Sequence, residues 1–513
     1  MKLQVAAGIQ ARRRQVVDEN CGDEYPHTSY ERDRHRSKSE HGFAAKAMPT
    51  GPWLAPESQA GTVNTSATRR TRRHPMHSHS SRSLQTAHPM EGRVKRVITT
   101  AAVFAAAVLL VSGCPGGSGG DSDSPEFEFW SFTGINQKVD VEAYTKAHPD
   151  ARVKLTEVGS TTETAQALTA ALAGGKVPDL VLIQGDDLPK FMQSPENFVD
   201  LTTLGADKIK GDYLDWVVRQ STTEDGKIVG VPTDVGGMAI AYRTDLFKAA
   251  GLPTDRDQVS KLWPTWDAFT EVGKQYVQAT GKPFLDNTPT SIFYQAVNQG
   301  TERYYDADRK LSYDKNPQVK AAFDLTLKVF AAGISGKQAS FSTGWTAAMS
   351  KGDFAVVSAP AWMLGSIRTN APDTAGKWDV ATIPGGSGNW GGSYLAIPKR
   401  AKNPKAAWNY IAEMQSPAGQ LANFLSKGNL PTTPSVYTDP QLVGRAEPFF
   451  SNAPIGKIYT QSVLNIKPFY IGPDDATVGS ELLNTLTSVE QGKVDPANAW
   501  DTALTNVKNA LRG

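Results

Sequence analysis

The side chains with the most chemical reach in this 513-residue chain are its tryptophans and carboxylates. Beyond residue 113 the sequence holds ten Trp, 43 Asp+Glu, 37 Lys+Arg and a single histidine, His148. Aromatic faces offer apolar area to the C–H face of a sugar ring, while carboxylates and amides pair with hydroxyls in fixed geometry. An acidic, Trp-rich and nearly His-free composition is unusual for a hydrolase and suits carbohydrate binding. Trp130, beside Ser131 and Thr133, Trp345 in FSTGWT, and Trp390, before Gly391 and Gly392, sit where a ligand could reach them. The two glycines let backbone N–H groups approach a ligand. Core packing stands as the alternative for each tryptophan, because Trp is mostly buried anyway. Trp216, Trp408 and Trp500 lie on helical stretches and read as packing residues. Trp263 and Trp266 flank Pro264 at a helix start, which fits capping or staple packing.

The elements that would position these residues follow from hydrophobic pattern. Glu126–Trp130 alternates like a strand, and Ile135–Ala147 has helical composition and stops before His148-Pro149. Arg152–Val158 is rich in β-branched residues, and Thr161–Gly174 carries Ala and Leu at helical spacing before a Gly-Gly stop. Leu180–Ile183 is a continuous apolar run suited to a strand covered on both faces. The order β-α-β-α-β favours a parallel sheet flanked by helices, with ligands collecting beyond the carboxyl ends of its strands. Those ends are Trp130–Thr133 and Gln184–Asp187. Adjacent carboxylates on an extended chain point to opposite sides, so one of Asp186 and Asp187 is expected to face a ligand.

Residues 1–89 are a different polymer, with 14 Lys+Arg, 8 Asp+Glu and seven of the eight histidines. Their composition cannot offset the entropy of ordering, so they read as a disordered basic segment. The tract His74, His77 and His79 could hold a metal by composition, but an unstructured basic tail is the reading that the composition favours. From Met90 a basic patch (Arg93, Lys95, Arg96) leads into the uncharged run Val97–Val111, the pattern of a secretory signal over residues 90–113. Leu110–Cys114 (LVSGC) resembles the bacterial lipobox, which implies lipid attachment at Cys114 followed by a flexible tether, residues 114–124. Because such a signal works from the start of a chain, the native start is expected at Met90, with residues 1–89 upstream of it. Two cysteines exclude a disulfide scaffold and thiolate-rich metal sites, and the net charge of +2 gives no reason to expect nucleic acid.

Five segments, in order and spacing, carry a resemblance that runs from about Glu126 to the C-terminus. They are Ala170–Lys190 (AALAGGKVPDLVLIQGDDLPK); Gly226–Leu252, followed by Pro264–Asp267 (PTWD); Ala361–Gly365 (AWMLG); Trp390–Ser393 with Leu395–Pro398; and Lys402–Ala412. The chain resembles the extracellular solute-binding proteins of sugar-type ABC importers, the maltose-binding-protein-like group.

The resemblance implies a two-lobed α/β periplasmic-binding-protein fold, each lobe a mostly parallel sheet flanked by helices, with a hinge between. The first lobe is expected over 125–233 plus 384–426 and the second over 234–383 plus 427–513. It also implies a monomer on the outer face of the cytoplasmic membrane that grips a sugar or oligosaccharide in the cleft and delivers it to membrane permease subunits. Trp362 enters the candidate list from the matching loop, and Asp234 from the lobe crossing. The ligand-binding candidates are thus Trp130, Thr133, Gln184, Asp186, Asp187, Asp234, Trp345, Trp362, Trp390, Gly391 and Gly392, with Asn389, Tyr394 and Asn429 as further polar options. No cofactor, metal or catalytic residue is expected, and no G-x-x-x-x-G-K-[ST] occurs for nucleotide. Rival readings are an exported glycosidase, a polyamine binder and, from Tyr304-Tyr305, a ferric-ion binder.

Overall fold

A computed structural model describes residues 125–512. The leader, the signal segment, Cys114 and the tether lie outside the described residues. β1 (Glu126–Ser131), β2 (Arg152–Glu157) and β3 (Leu180–Gln184) run parallel, joined by helices Gln137–Ala147 and Thr161–Leu172. Alternation in β1 buries Phe127 and Phe129, and every apolar residue of β3 is buried, as a central strand covered on both faces requires. Ser160 opens the second crossover helix with a capping box: its hydroxyl accepts from the Glu163 N–H, and the Glu163 carboxylate accepts from the Ser160 N–H.

The chain leaves this first body through β4 (Gly230–Pro232) and enters a second along β5 (Ile240–Arg243). After a long helical excursion and β6 (Val356–Ser358), it returns through β7 (Trp378–Ala381) and β8 (Ser393–Ala396). The strand orders are β2-β1-β3-β8-β4 and β6-β5-β7. Outgoing and returning strands run in opposite senses, so β4 pairs β8 and β5 pairs β7 antiparallel. Strand direction therefore departs from the mostly parallel sheet expected in each lobe. Only β1, β2 and β3 are mutually parallel, and the second sheet is antiparallel throughout. The two-lobed α/β class itself stands.

Each body buries its own apolar set. Phe127, Phe129, Leu182, Tyr410 and Ile411 gather in the first. In the second, Val357, Met363, Trp378 and Tyr459 form one cluster, and Phe247, Trp263, Phe269 and Phe284 another. Helix Pro417–Lys427 serves both bodies. Its Leu421 and Phe424 sit in a second-body cluster, while Lys427 Nζ donates to Asp140 Oδ2 of the first body at 2.6 Å.

Asp179 explains the Pro-Asp that precedes β3. Its buried carboxylate accepts three backbone N–H groups: Glu128 at 2.9 Å, Lys402 at 2.6 Å and Asn403 at 2.8 Å. One side chain thereby ties β1 to the segment that opens helix Pro404–Met414. Asp179→Ala strands these donors and is expected to lower the unfolding free energy by about 3 kcal/mol. Urea denaturation reads this, and a loss below about 0.5 kcal/mol would show that the anchor is dispensable.

Candidate functional site

The carboxyl end of β3 faces the second body across a narrow gap. Gln184 Oε1 accepts the Asp186 N–H at 2.7 Å and fixes the turn. From there the Asp186 carboxylate crosses the gap, accepting from Tyr294 Oη at 2.8 Å and from Arg303 Nη2 at 2.8 Å. Tyr294 closes a π-helical segment, Pro289–Tyr294, whose wide turn aims the ring at the gap. Burial pushes the Asp186 carboxyl up, but the Arg303 charge and the bonds from Arg303 and Tyr294 outweigh it, and its pKa ends below the ordinary value.

Arg303 is 3 % exposed and held from every side. Its Nε donates to Asp475 Oδ1 at 2.8 Å and its Nη1 to Asn298 Oδ1 at 3.0 Å, while the rings of Tyr304 and Phe469 lie 5.1 and 5.2 Å from its guanidinium carbon. Burial pushes Asp475 up to about 6 in spite of the guanidinium beside it. The result is a cation fixed in the second body and aimed at the first.

Around this bridge the walls come from both bodies. Helix Asp215–Gln220 contributes Trp216, Val217 and Gln220, and β8 contributes Tyr394, whose Oη lies 2.6 Å from Gln220 Oε1. The second body adds Phe469 and Ile471. The crossing segments supply Asp234, Asn389, Gly391 and Gly392. Asp234 accepts from the Thr233 hydroxyl at 2.7 Å, and burial raises its pKa. The space enclosed is about 20 Å³, room for a water molecule rather than a sugar ring, so the bodies must part to admit a larger ligand.

Of the residues singled out from sequence, Asp186, Asp234, Gly391 and Gly392 line this gap, together with Asn389 and Tyr394. Trp390 sits at its edge, half-buried, with its ring 5.5 Å from Tyr294 and 5.3 Å from Trp362. Trp362 is in the first turn of helix Ala361–Asn370, not in a loop, and donates its indole N–H to the Trp390 carbonyl at 2.9 Å. Asp187 turns to the other side of the strand end and, with Gln184, lines a smaller cavity beside Thr161 and Phe191. Trp130 is half-buried against the first body, its indole nitrogen 3.4 Å from Glu128 Oε1. Thr133 is exposed and bonds the Gly159 carbonyl. Asn429 is outside the lining.

Trp345 requires a correction. Its Gly-flanked stretch reads as a loop, yet Ser342 caps a helix, Thr343–Lys351, and the Trp345 ring is fully buried with its N–H on Asp286 Oδ2 at 2.8 Å. Trp216, read as a packing residue because its stretch is helical, lines the gap instead. Tyr294 and Arg303 carried no sequence signal, since each is isolated and only the π-turn and Asp475 give it direction. Tyr304 is buried beside Arg303, and the Tyr305 hydroxyl donates to Asp474 Oδ2 at 2.9 Å. Among the described residues no three His, Cys, Asp or Glu side chains group to hold a metal ion.

Residues 141–449 match the family model described as bacterial extracellular solute-binding protein. The chain belongs to that family. A lactose-binding protein of Rhizobium radiobacter is 29 % identical over 341 residues, 63 % of this chain and 76 % of the relative. An arabinooligosaccharide-binding protein of Bacillus subtilis is 26 % identical over 431 residues, 78 % of this chain and 96 % of the relative. The crystal structure of an extracellular solute-binding protein family 1 member overlays with a TM-score of 0.66 at 33 % identity, covering 75 % of this solute-binding protein and 99 % of that chain.

The pair Asp186–Asp187 supplies a pH test. Burial, reinforced by the charge of Asp186, pushes the Asp187 carboxyl from its ordinary 3.8 to about 6. A folded pKa above the unfolded one contributes stability that is fully present below 3.8 and lost as pH rises through about 6. Asp187→Asn removes that loss. Its stability relative to wild type is expected to improve by on the order of 2 kcal/mol between about pH 4.5 and about pH 7.5. A difference in thermal midpoint that does not change with pH would refute it.

Proposed function

We propose that this solute-binding protein captures a sugar or oligosaccharide between its two bodies and delivers it to the permease of an ABC importer. The observation that carries the reading is the gap itself. Aromatic side chains (Trp216, Tyr294, Phe469) stand beside hydrogen-bonding groups (Asp186, Asn298, Arg303) contributed from both sides. Ring faces cover C–H surface, and the polar groups exchange their cross-gap bonds for sugar hydroxyls. Contacts made by both bodies at once favour closure over opening, and the closed outline is what a permease recognises. The bodies hinge along the lobe boundaries read from the sequence. Cys114 carries the lipid that holds the protein at the outer face of the membrane, where it works as a monomer and without catalysis. Its relatives named for lactose and arabinooligosaccharide support the ligand class.

Calorimetry on the full-length protein in detergent, against mono- and oligosaccharides and against spermidine, tests the ligand class. Binding of a sugar without turnover of a chromogenic glycoside is expected. Spermidine binding without sugar binding, or glycoside hydrolysis, would overturn the reading. Trp216→Ala is expected to weaken sugar binding between about 10-fold and about 100-fold at a temperature where its melting curve shows it folded, since it removes a partly exposed ring face. Unchanged affinity would remove Trp216 from the site. Cys114→Ala is expected to shift the protein from the membrane fraction to the medium, and retention on the membrane would refute lipid anchoring there.

A further inference from the structure

Aromatic side chains continue outward from the gap in an unbroken series. Tyr294 lines the gap and touches Trp390 at 5.5 Å between ring centroids; Trp390 touches Trp362 at 5.3 Å; Trp362 touches Phe341 at 6.2 Å with the planes only 28° apart. Tyr294, Trp390 and Trp362 are half-buried, whereas Phe341 is 56 % exposed. Phe341 also has φ +67°, a conformation that a bulky side chain adopts rarely and at a cost. An exposed phenyl ring on a disfavoured backbone is not what packing alone selects.

The perch is built to hold that ring out. Trp345 lies beneath it at 5.4 Å, fully buried and tied to Asp286. The Ser340 hydroxyl accepts from Asn287 Nδ2 at 2.9 Å, and Ser342 caps the following helix through the Trp345 N–H at 3.1 Å. Residues 338–346, QASFSTGWT, carry no charge and five of the nine are Gln, Ser or Thr. An apolar ring face set among uncharged hydroxyl and amide groups suits a neutral polyol, the same chemistry proposed for the gap with which it is continuous.

Building on the function proposed above, we propose that the binding site extends along Trp390 and Trp362 to Phe341. There the Phe341 ring stacks on a further unit of an oligosaccharide whose first units occupy the gap. Chain length is then read outside the gap, and the physiological ligand is longer than a disaccharide. The rigid perch means that the platform is present before the ligand arrives, which lowers the ordering cost of the outer unit.

The test compares wild type, Phe341→Ala and Phe341→Tyr as full-length proteins in detergent. Titrations use lactose and the di- to pentasaccharides of the arabinan and maltodextrin series. In whichever series binds, Phe341→Ala is expected to weaken the tri- to pentasaccharides about tenfold and the disaccharide less than about twofold, with Phe341→Tyr near wild type. The tryptophan fluorescence change lost in Trp362→Phe relative to wild type reports Trp362, and it should be larger for the longer sugars than for the disaccharide. An equal effect of Phe341→Ala on all lengths, no effect on any, or a wild type that binds only disaccharides would overturn the extended site while leaving sugar binding intact. A wild type that binds no sugar in the panel would overturn the proposed function and the extended site with it. Should Phe341→Ala prove poorly folded by its melting curve, the same length series on Phe341→Leu, which keeps an apolar side chain without a flat ring face, decides.

Discussion

The Trp390 N–H donates to the Gly236 carbonyl at 2.8 Å, and on this close contact between the outgoing and returning segments the two-body architecture depends. A Cβ on Gly236 would come within 1.8 Å of the Trp390 carbonyl oxygen, so the approach requires glycine there. Asn389 completes the junction, accepting the Gly236 N–H and donating to the Gly391 carbonyl. The antiparallel pairs in both sheets, the placement of Asp234 at the gap and the exposure of the Trp390 edge all follow from these two segments lying side by side. Hinge closure is absorbed by a few residues at the ends of such elements, and these crossing segments are short.

Across the gap from this junction, the electrostatics are asymmetric. Arg303 is satisfied almost wholly within the second body by Asp475, Asn298 and two aromatic rings, so it stays in place whether or not the bodies touch. Asp186 has its other carboxylate partners, Arg303 and Tyr294, on the far side. Opening the gap therefore returns Asp186 to water, where a carboxylate is well solvated, and leaves the guanidinium with Asp475. The buried ion pair adds direction to closure at modest net energy, because desolvation offsets much of the Coulomb attraction. A sugar hydroxyl that bonds either group competes with a contact the protein already makes, and this favours ligands that add ring stacking on top.

Much of the first body was legible as pattern. The β-α-β-α-β order, the Gly-Gly stop after the second crossover helix and the continuous apolar strand rest on interactions between near neighbours, which local sequence encodes. The site was legible where it hangs on those elements: Asp186 at the end of β3, and Gly391 and Gly392 beside the returning strand. It was not legible where a helix replaced a presumed loop. Trp345 turned inward because Ser342 begins a helix just ahead of it, and Trp216 turned toward the gap although its stretch is helical.

By itself, the amino-acid sequence determined the binding chemistry available, the secondary elements of the first body, and the position of Asp186 at a strand end. These depend on side-chain type, on periods of two and 3.6, and on turns of a few residues. Only the tertiary structure decided which tryptophans meet at the gap, that the second sheet is antiparallel, and that Arg303 and Tyr294 meet Asp186 across the gap. Those facts depend on packing between segments about a hundred residues apart. Hydrophobic burial is indifferent to sequence separation, so no local pattern announces it.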